Sequence, residues 1–184
     1  MKIIDLADRD AETIHEVAKL LMIGFETHWP NAWPNMEAAL NEVEESLEPE
    51  RISRIAVNEQ GKVLGWIGGI CEYEGHAWQL HPLVVHPDYQ NTGIGRALVT
   101  DLETLIHQRG GTTIYLGTDD EDGMTSLSNT DLYPDVFEHL AQIKNLKRHP
   151  YEFYQKLGFT IVGVIPDANG PGKPDIMMAK RVSI

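Results

Sequence analysis

Residues 77–119 constrain the chain more than any other stretch. An apolar run, "AWQLHPLVV", passes through the polar turn "HPDYQNTGIGR" into an amphipathic segment and then into a β-branched run, "TTIYLGT". Strand, helix and strand in series imply a parallel pair of strands with the helix crossing over between them, because a parallel pair needs a connection of about a dozen residues or more. The segment from about 94 to 108 supplies that length, and Gly110 and Gly111 stop it. The chain before this unit reads differently. "RISRIAVNEQGKVLGWIGGICEYEGHAWQLHPLVV" holds three strands joined by turn signals at 58–61 and 74–76, an antiparallel meander. The expected class is α+β with a mixed central sheet, an antiparallel N-terminal meander, splayed central strands and flanking helices.

The remaining elements fit that frame. "KIIDL" reads as a first strand, and 10–24 as a helix with Ile14, Val17, Ala18 and Leu21 on one face. Asn35 caps a second helix over about 36–47. After the crossover, 119–131 reads as a loop, 132–147 as a helix, and "PYEFYQKLGF" as a short helix stopped by Gly158. "TIVGVI" and "DIMMAKRV" read as closing strands.

At 184 residues the chain is expected to form a single domain, 1–184. No apolar run approaches the roughly 20 residues that span a bilayer, and the acidic N-terminus lacks a signal-peptide pattern, so no membrane partner is expected. One cysteine, Cys71, excludes a disulfide framework and points to a cytoplasmic location. The formal charge of -13 repels nucleic acid and anionic lipid and attracts small cations. It does not name a substrate.

The joint at 86–96 carries the first chemical signal. A glycine-rich turn opening a helix leaves several N–H groups aimed at one spot, where the helix dipole also favours an anion. Gly93 and Gly95 remove side chains that would block approach, and Arg96 adds positive charge. Neither common nucleotide loop is matched, since no Gly-Lys-Ser/Thr follows and the third glycine of the dinucleotide turn is missing. In the strand before it, Pro82 lacks the N–H a central strand would use, which requires a bulge or splay there. A splay frees backbone donors at Leu83 and Val85 that could hold a polarised carbonyl. Tyr154, one turn before Gly158, adds a phenol.

These features occur together in one family. "QNTGIG" after a strand and "YQKLGF" near the C-terminus resemble the acetyl-CoA motif and the terminal tyrosine motif of the GNAT family of N-acetyltransferases. "WQLHPLVV", "GGTTIYLGTDDEDGMTSLSNTDLY", "HPYEFYQKLGF", "IVGVIPDANGPGKPDIMMAK" and "HWP" resemble the chromosomal, Gram-positive aminoglycoside 6′-N-acetyltransferases. The resemblance implies acetyl-CoA as co-substrate and no metal. It implies that Gln90, Asn91, Thr92, Gly93, Ile94, Gly95 and Arg96 bind the pyrophosphate, that the strand Leu83-Val84-Val85 holds the thioester, and that Tyr154 protonates the departing thiolate. A homodimer and a small cationic amine acceptor are implied as well.

On the acceptor side, the expected residues are Trp29, Tyr73, Gln79, Asp119 and Asp120, with His81 as a base or a positioning group. Trp33 could form a further wall. His76, His81 and His86 recur every five residues, alternate between strand faces and make no metal site. One departure stands out: these aminoglycoside enzymes resemble "WELHPLVV", whereas this chain has Gln79, which can accept a hydrogen bond but cannot take a proton. Deprotonation of the amine would then fall to water, to a distant carboxylate such as Asp119 or Glu72, or to an amine already neutral. The alternatives are acetylation of a polyamine, a small basic peptide or a protein terminus, and a non-catalytic acetyl-CoA sensor.

Overall fold

The computed structural model describes residues 1–6 and 9–182. The chain divides into two compact units, residues 1–114 with Val182, and Tyr115–Arg181. In the first, β1 (Lys2–Asp5), β2 (Arg51–Val57), β3 (Val63–Glu72) and β4 (Ala77–Val85) follow one another as an antiparallel meander. Helices α1 (Ala11–Phe25) and α2 (Met36–Glu45) pack together, and α3 (Ile94–Gln108) packs on β2, β3 and β4. The strand β5 (Thr113–Asp119) leads into the second unit, where the order is β5-β7-β6, with β6 (Thr160–Ile165) antiparallel to β7 (Asp175–Arg181). That unit also holds the short helices α4 (Val136–Ala141) and α5 (Tyr151–Gln155).

Local chemistry explains the helix starts. Asp10 accepts a hydrogen bond from the Thr13 N–H at 2.9 Å, and Asn35 accepts one from Ala38 N–H at 2.9 Å, so α1 and α2 open on side-chain caps. Their apolar faces, Val17, Leu20 and Leu21 from α1 with Ala39 and Val43 from α2, bury against Ile55, Trp66 and Val84. Full burial of each large aliphatic side chain contributes about 1.5–3 kcal/mol before the cost of ordering it. The Trp66 indole, fully buried, donates to Ser53 Oγ at 2.9 Å, and the Ser46 and Ser53 hydroxyls lie 2.9 Å apart. The buried polar atoms are thereby satisfied.

The helix expected over 132–147 is much shorter. Helix α4 ends at Ala141 because the next residues bond elsewhere: Ser126 N–H donates to Lys144 O at 3.0 Å, and Leu146 N–H donates to Met124 O at 2.8 Å. A β-bridge between Thr125 and Asn145 fixes the two loops together. Backbone groups engaged across loops cannot also bond along a helix.

The bulge anticipated at Pro82 is present. Ile67 pairs with Leu83 and Gly69 with Leu80, so His81 and Pro82 together face the single residue Gly68. A side chain at Gly68 has no room, since an added Cβ would lie 2.2 Å from the His81 carbonyl oxygen. Gly68→Ala should therefore destabilise the protein by about 1–3 kcal/mol, the usual cost of overpacking, with a lower urea midpoint and an unchanged m-value. Wild-type stability in this variant would mean that the bulge tolerates a side chain.

Candidate active site

The turn between β4 and α3 is built to leave donors exposed. Pro87–Tyr89 form one 3-10 turn, Thr92 Oγ1 donates to Tyr89 O at 2.6 Å, and Gln90 Nε2 donates to Val85 O at 3.4 Å. Asn91 and Gly93 take left-handed conformations, with φ of 61° and 93°. Gly93 is the residue that opens α3, and unlike Asp10 and Asn35 it offers no side-chain acceptor to the first turn. No acidic side chain occupies that turn either. The N–H groups of Ile94, Gly95 and Arg96 at the start of a 15-residue helix have no intrahelical acceptor and combine with the dipole to favour an anion. The residues present fit a pyrophosphate: nothing lies within 4 Å of where a Gly93 side chain would begin, and Arg96 is exposed beside it.

Strand β4 carries the next group of residues. Gln79 pairs with Ile70, Leu83 with Ile67, Val84 with Trp66 and Val85 with Gly65. Gln79 and His81 stand two residues apart ahead of the bulge and so share one face. The bulge then reverses the alternation: Val84 joins the core formed by α1 and α2, while Leu83, next after the bulge, and Val85 take the opposite face. His81 is not isolated on this face. Its Nε2 stands 3.6 Å from Glu42 Oε1 of α2, and its ring lies 5.9 Å from that of Trp33. The Trp33 indole donates to Glu42 Oε2 at 3.4 Å. The His81 ring beside Glu42, with help from that indole, holds the Glu42 carboxyl below its usual range despite its burial.

An aromatic wall continues from there. Phe25 lies 4.8 Å from Trp33 and 5.6 Å from Trp29, and His28 lies 5.4 Å from Trp29, centroid to centroid. Trp29 and His81 are thus joined through Phe25 and Trp33. Tyr73 is placed apart from that wall, in the β3–β4 turn with 73% of its surface exposed. Glu42 was not legible as a site residue, because it is one of several acidic residues in α2 and its partner lies 39 positions away. Cys71 is a free thiol.

In the second unit Tyr154 is buried on α5, its ring 5.1 Å from Phe153 and 5.6 Å from Phe159. Burial pushes its phenol pKa well up, so the hydroxyl holds its proton. Asp119, at the end of β5, is tied by Asn169 Nδ2 to its carboxylate and by His149 Nε2 to its carbonyl oxygen at 3.1 Å. His149 accepts from Tyr151 N–H at Nδ1, so the hydrogen sits on Nε2. Asp120, expected at the acceptor, is instead fully buried. It accepts from Met124 N–H, Thr125 N–H and Thr125 Oγ1, each at 2.7 Å, and staples the 120–127 loop. Two acidic residues in sequence alternate in direction on leaving a strand, and only Asp119 remains partly exposed.

Asp175 was not singled out from sequence. Its carboxylate lies where a side chain at Gly117 would have to be, and its Oδ1 is buried without a hydrogen-bond partner among the described residues. Desolvation, reinforced by the charge of Asp119, pushes its pKa up to about 6. The folded state therefore holds a proton that the unfolded chain has released above 3.8, and this carboxyl's favourable contribution is lost as pH rises through about 6. Asp175→Asn keeps an acceptor and gives its neighbour an amide donor. The variant should gain stability over wild type by about 1–2 kcal/mol between about pH 4.5 and about pH 7.5, after allowance for partial solvent screening. Urea unfolding at both pH values measures it, and a pH-independent difference would contradict the assignment.

The comparisons with known proteins follow the same lines. The family model described as "Acetyltransferase (GNAT) family" matches residues 14–127, which takes in β2, β3, β4, α3 and β5. Among solved structures, an aminoglycoside 6′-N-acetyltransferase complexed with coenzyme A is 43% identical, covers 100% of this chain and 98% of its own, and superposes with a TM-score of 0.90. The aminoglycoside 6′-N-acetyltransferase from Enterococcus faecium is also 43% identical, with a TM-score of 0.88 and coverage of 100% and 98%. An aminoglycoside 6′-acetyltransferase type Ii is 37% identical, with a TM-score of 0.72 and coverage of 100% and 99%. Among curated proteins none matches significantly. The α+β class, with a mixed seven-stranded sheet and flanking helices, is that of these enzymes. The chain belongs to the GNAT family of acetyltransferases, enzymes that use acetyl-CoA.

Proposed function

We propose that the chain is a single acetyltransferase domain that moves the acetyl group of acetyl-CoA to the 6′-amine of an aminoglycoside by direct attack. The observation that carries the donor side is the helix α3, which opens on Gly93 without a side-chain cap where α1 and α2 each have one. The 43% identity to aminoglycoside 6′-N-acetyltransferases over the whole chain supports the acceptor.

The residues then take the following roles. N–H groups at 90–96 receive the pyrophosphate. Amides of Leu83 and Val85, which follow the bulge, hold the thioester carbonyl and stabilise the negative charge that grows on its oxygen. The neutral amine attacks the carbonyl carbon, and the carbon–sulfur bond breaks with its electron pair on sulfur. Tyr154 donates its proton to that thiolate, whose basicity, near a pKa of roughly 8.5, makes an unassisted departure slow, and the phenolate is restored by the proton that the attacking nitrogen sheds as the amide forms. A phenol kept protonated by burial is suited to this step.

The aromatic residues Trp29 and Trp33 form one wall of the acceptor site, and Gln79 and His81 supply its hydrogen-bonding groups. The surplus of negative charge, -13 over 184 residues, draws a polycationic acceptor. A second reading, with a polyamine or basic peptide as acceptor, is favoured by one observation: the uncharged Gln79 where these aminoglycoside enzymes resemble a carboxylate. Among the described residues no helix is long and apolar enough to cross a membrane. We place the enzyme in the cytoplasm, consistent with a free Cys71. We propose that the enzyme is a homodimer, as the sequence resemblance implies.

Release of coenzyme A thiol, measured with acetyl-CoA against kanamycin, spermidine and a lysine-rich peptide, tests the proposal. Kanamycin should give the highest kcat/KM, and a preference for spermidine would favour the second reading. Tyr154→Phe, which keeps the ring and its packing, should lower kcat by about 10-fold or more with little change in KM. An unchanged kcat in single-turnover experiments would leave the tyrosine a packing role only.

A further inference from the structure

Gln79 leaves the acceptor's ammonium without a carboxylate to take its proton on β4, yet the same face of the strand carries an imidazole already coupled to an acid. His81 Nε2 points at Glu42 Oε1 across 3.6 Å, and the second oxygen of that carboxylate is fixed by the Trp33 indole at 3.4 Å. The Glu42 side chain is 18% exposed and that of His81 41%, so the acid is sheltered while the ring reaches solvent. His81 Nδ1 has no hydrogen-bond partner among the described residues. A carboxylate this close to one ring nitrogen favours the tautomer with its hydrogen there, which leaves the other nitrogen its lone pair to accept a proton.

We propose that Glu42 is a positioning residue that holds His81 as the Nε2–H tautomer, so that Nδ1 takes the proton from the acceptor's ammonium in place of the carboxylate that Gln79 lacks. The proposal rests on the acceptor reading above. An N–H bond of the ammonium breaks with its electron pair remaining on nitrogen, and an N–H bond forms at Nδ1. The amine then attacks. The imidazolium so produced faces the Glu42 carboxylate, which stabilises its charge, and it later releases the proton to water. Overall, ammonium and thioester give amide, thiol and one proton, and the released proton is the one His81 carried. Among the described residues, the groups that act on the Glu42 carboxyl are His81 from β4, the Trp33 indole from the loop before α2 and, more weakly, the charge of Arg51 from β2.

Two measurements test this. In the first, kcat for acetylation of kanamycin is followed from about pH 6.5 to about pH 9.5 in wild type, Glu42→Gln, His81→Gln and the double variant. Gln at 42 keeps the acceptor for Trp33 but loses the charge. At pH 7 the rate should fall about 10-fold in Glu42→Gln and about 100-fold in His81→Gln, within the usual range for general bases, and the double variant should be no slower than His81→Gln alone. The deficits should shrink to about twofold at pH 9.5, where solution already supplies neutral amine. A deficit constant across pH would mean a packing role and would overturn the proposal, as would a wild-type rate in Glu42→Gln.

The second measurement does not depend on turnover. Imidazole 15N shifts near pH 8.5 should report the Nε2–H tautomer for His81 in wild type and a mixture in Glu42→Gln. An unchanged tautomer in the variant overturns the proposal even if the enzyme prefers another acceptor. If wild type acetylates no amine at all, the acceptor reading fails and this one with it. If wild type is active and the variants match it, only the role of Glu42 and His81 fails.

Discussion

The arrangement depends on a mismatch of one residue between β3 and β4. Three steps along β4, from Leu80 to Leu83, answer two along β3, from Gly69 to Ile67, and the surplus is absorbed at His81 and Pro82 opposite Gly68. Gly68 makes this possible by having no side chain where the His81 carbonyl oxygen must pass. Pro82 makes it necessary, because it has no N–H to offer a continuous ladder. Ahead of the bulge the exposed face carries Gln79 and His81. Beyond it the buried Val84 takes that face, and Leu83 and Val85 turn to the other. In the proposed mechanism this one local irregularity separates an acceptor side from a donor side along nine residues of strand.

Polar satisfaction is distributed with the same economy. Two long helices are capped by their own side chains, buried Trp66 is matched by a serine, and Asp120 spends its carboxylate on a loop. The third long helix, α3, differs: a glycine stands where the cap would be, and its first N–H groups are left without a side-chain acceptor. In a chain of net charge -13, that turn with Arg96 is a local exception suited to phosphate, while the surplus acid elsewhere attracts a cation. One protein can in this way bind an anionic donor and a cationic acceptor without either field cancelling the other, since both are screened beyond about 10 Å.

Most of the fold was legible because its signals are local. The caps at Asp10 and Asn35, the turn at 58–61, the glycines after α3 and the proline in β4 each dictate backbone conformation within a few residues. Helix α4 is shorter than its sequence pattern suggests for the opposite reason, as its length is set by loop bonds from 124–126 that no propensity encodes. The site divides likewise. The glycine turn and the tyrosine carry motifs, whereas Glu42 and Asp175 acquire meaning only from partners distant in sequence. Asp119 and Asp120 are identical letters in adjacent positions, yet burial separates them into a partly exposed acid and a structural staple.

In the proposed reaction, acetyl moves from a donor seated at the turn before α3 to one amine of an aminoglycoside. Incubation of the protein with acetyl-CoA and kanamycin, followed by heteronuclear NMR of the product, locates the acetyl group. A single acetyl on the 6′ nitrogen is expected, formed in step with coenzyme A thiol. Acetyl-CoA that binds without transfer, or acetyl found on another nitrogen, would contradict it.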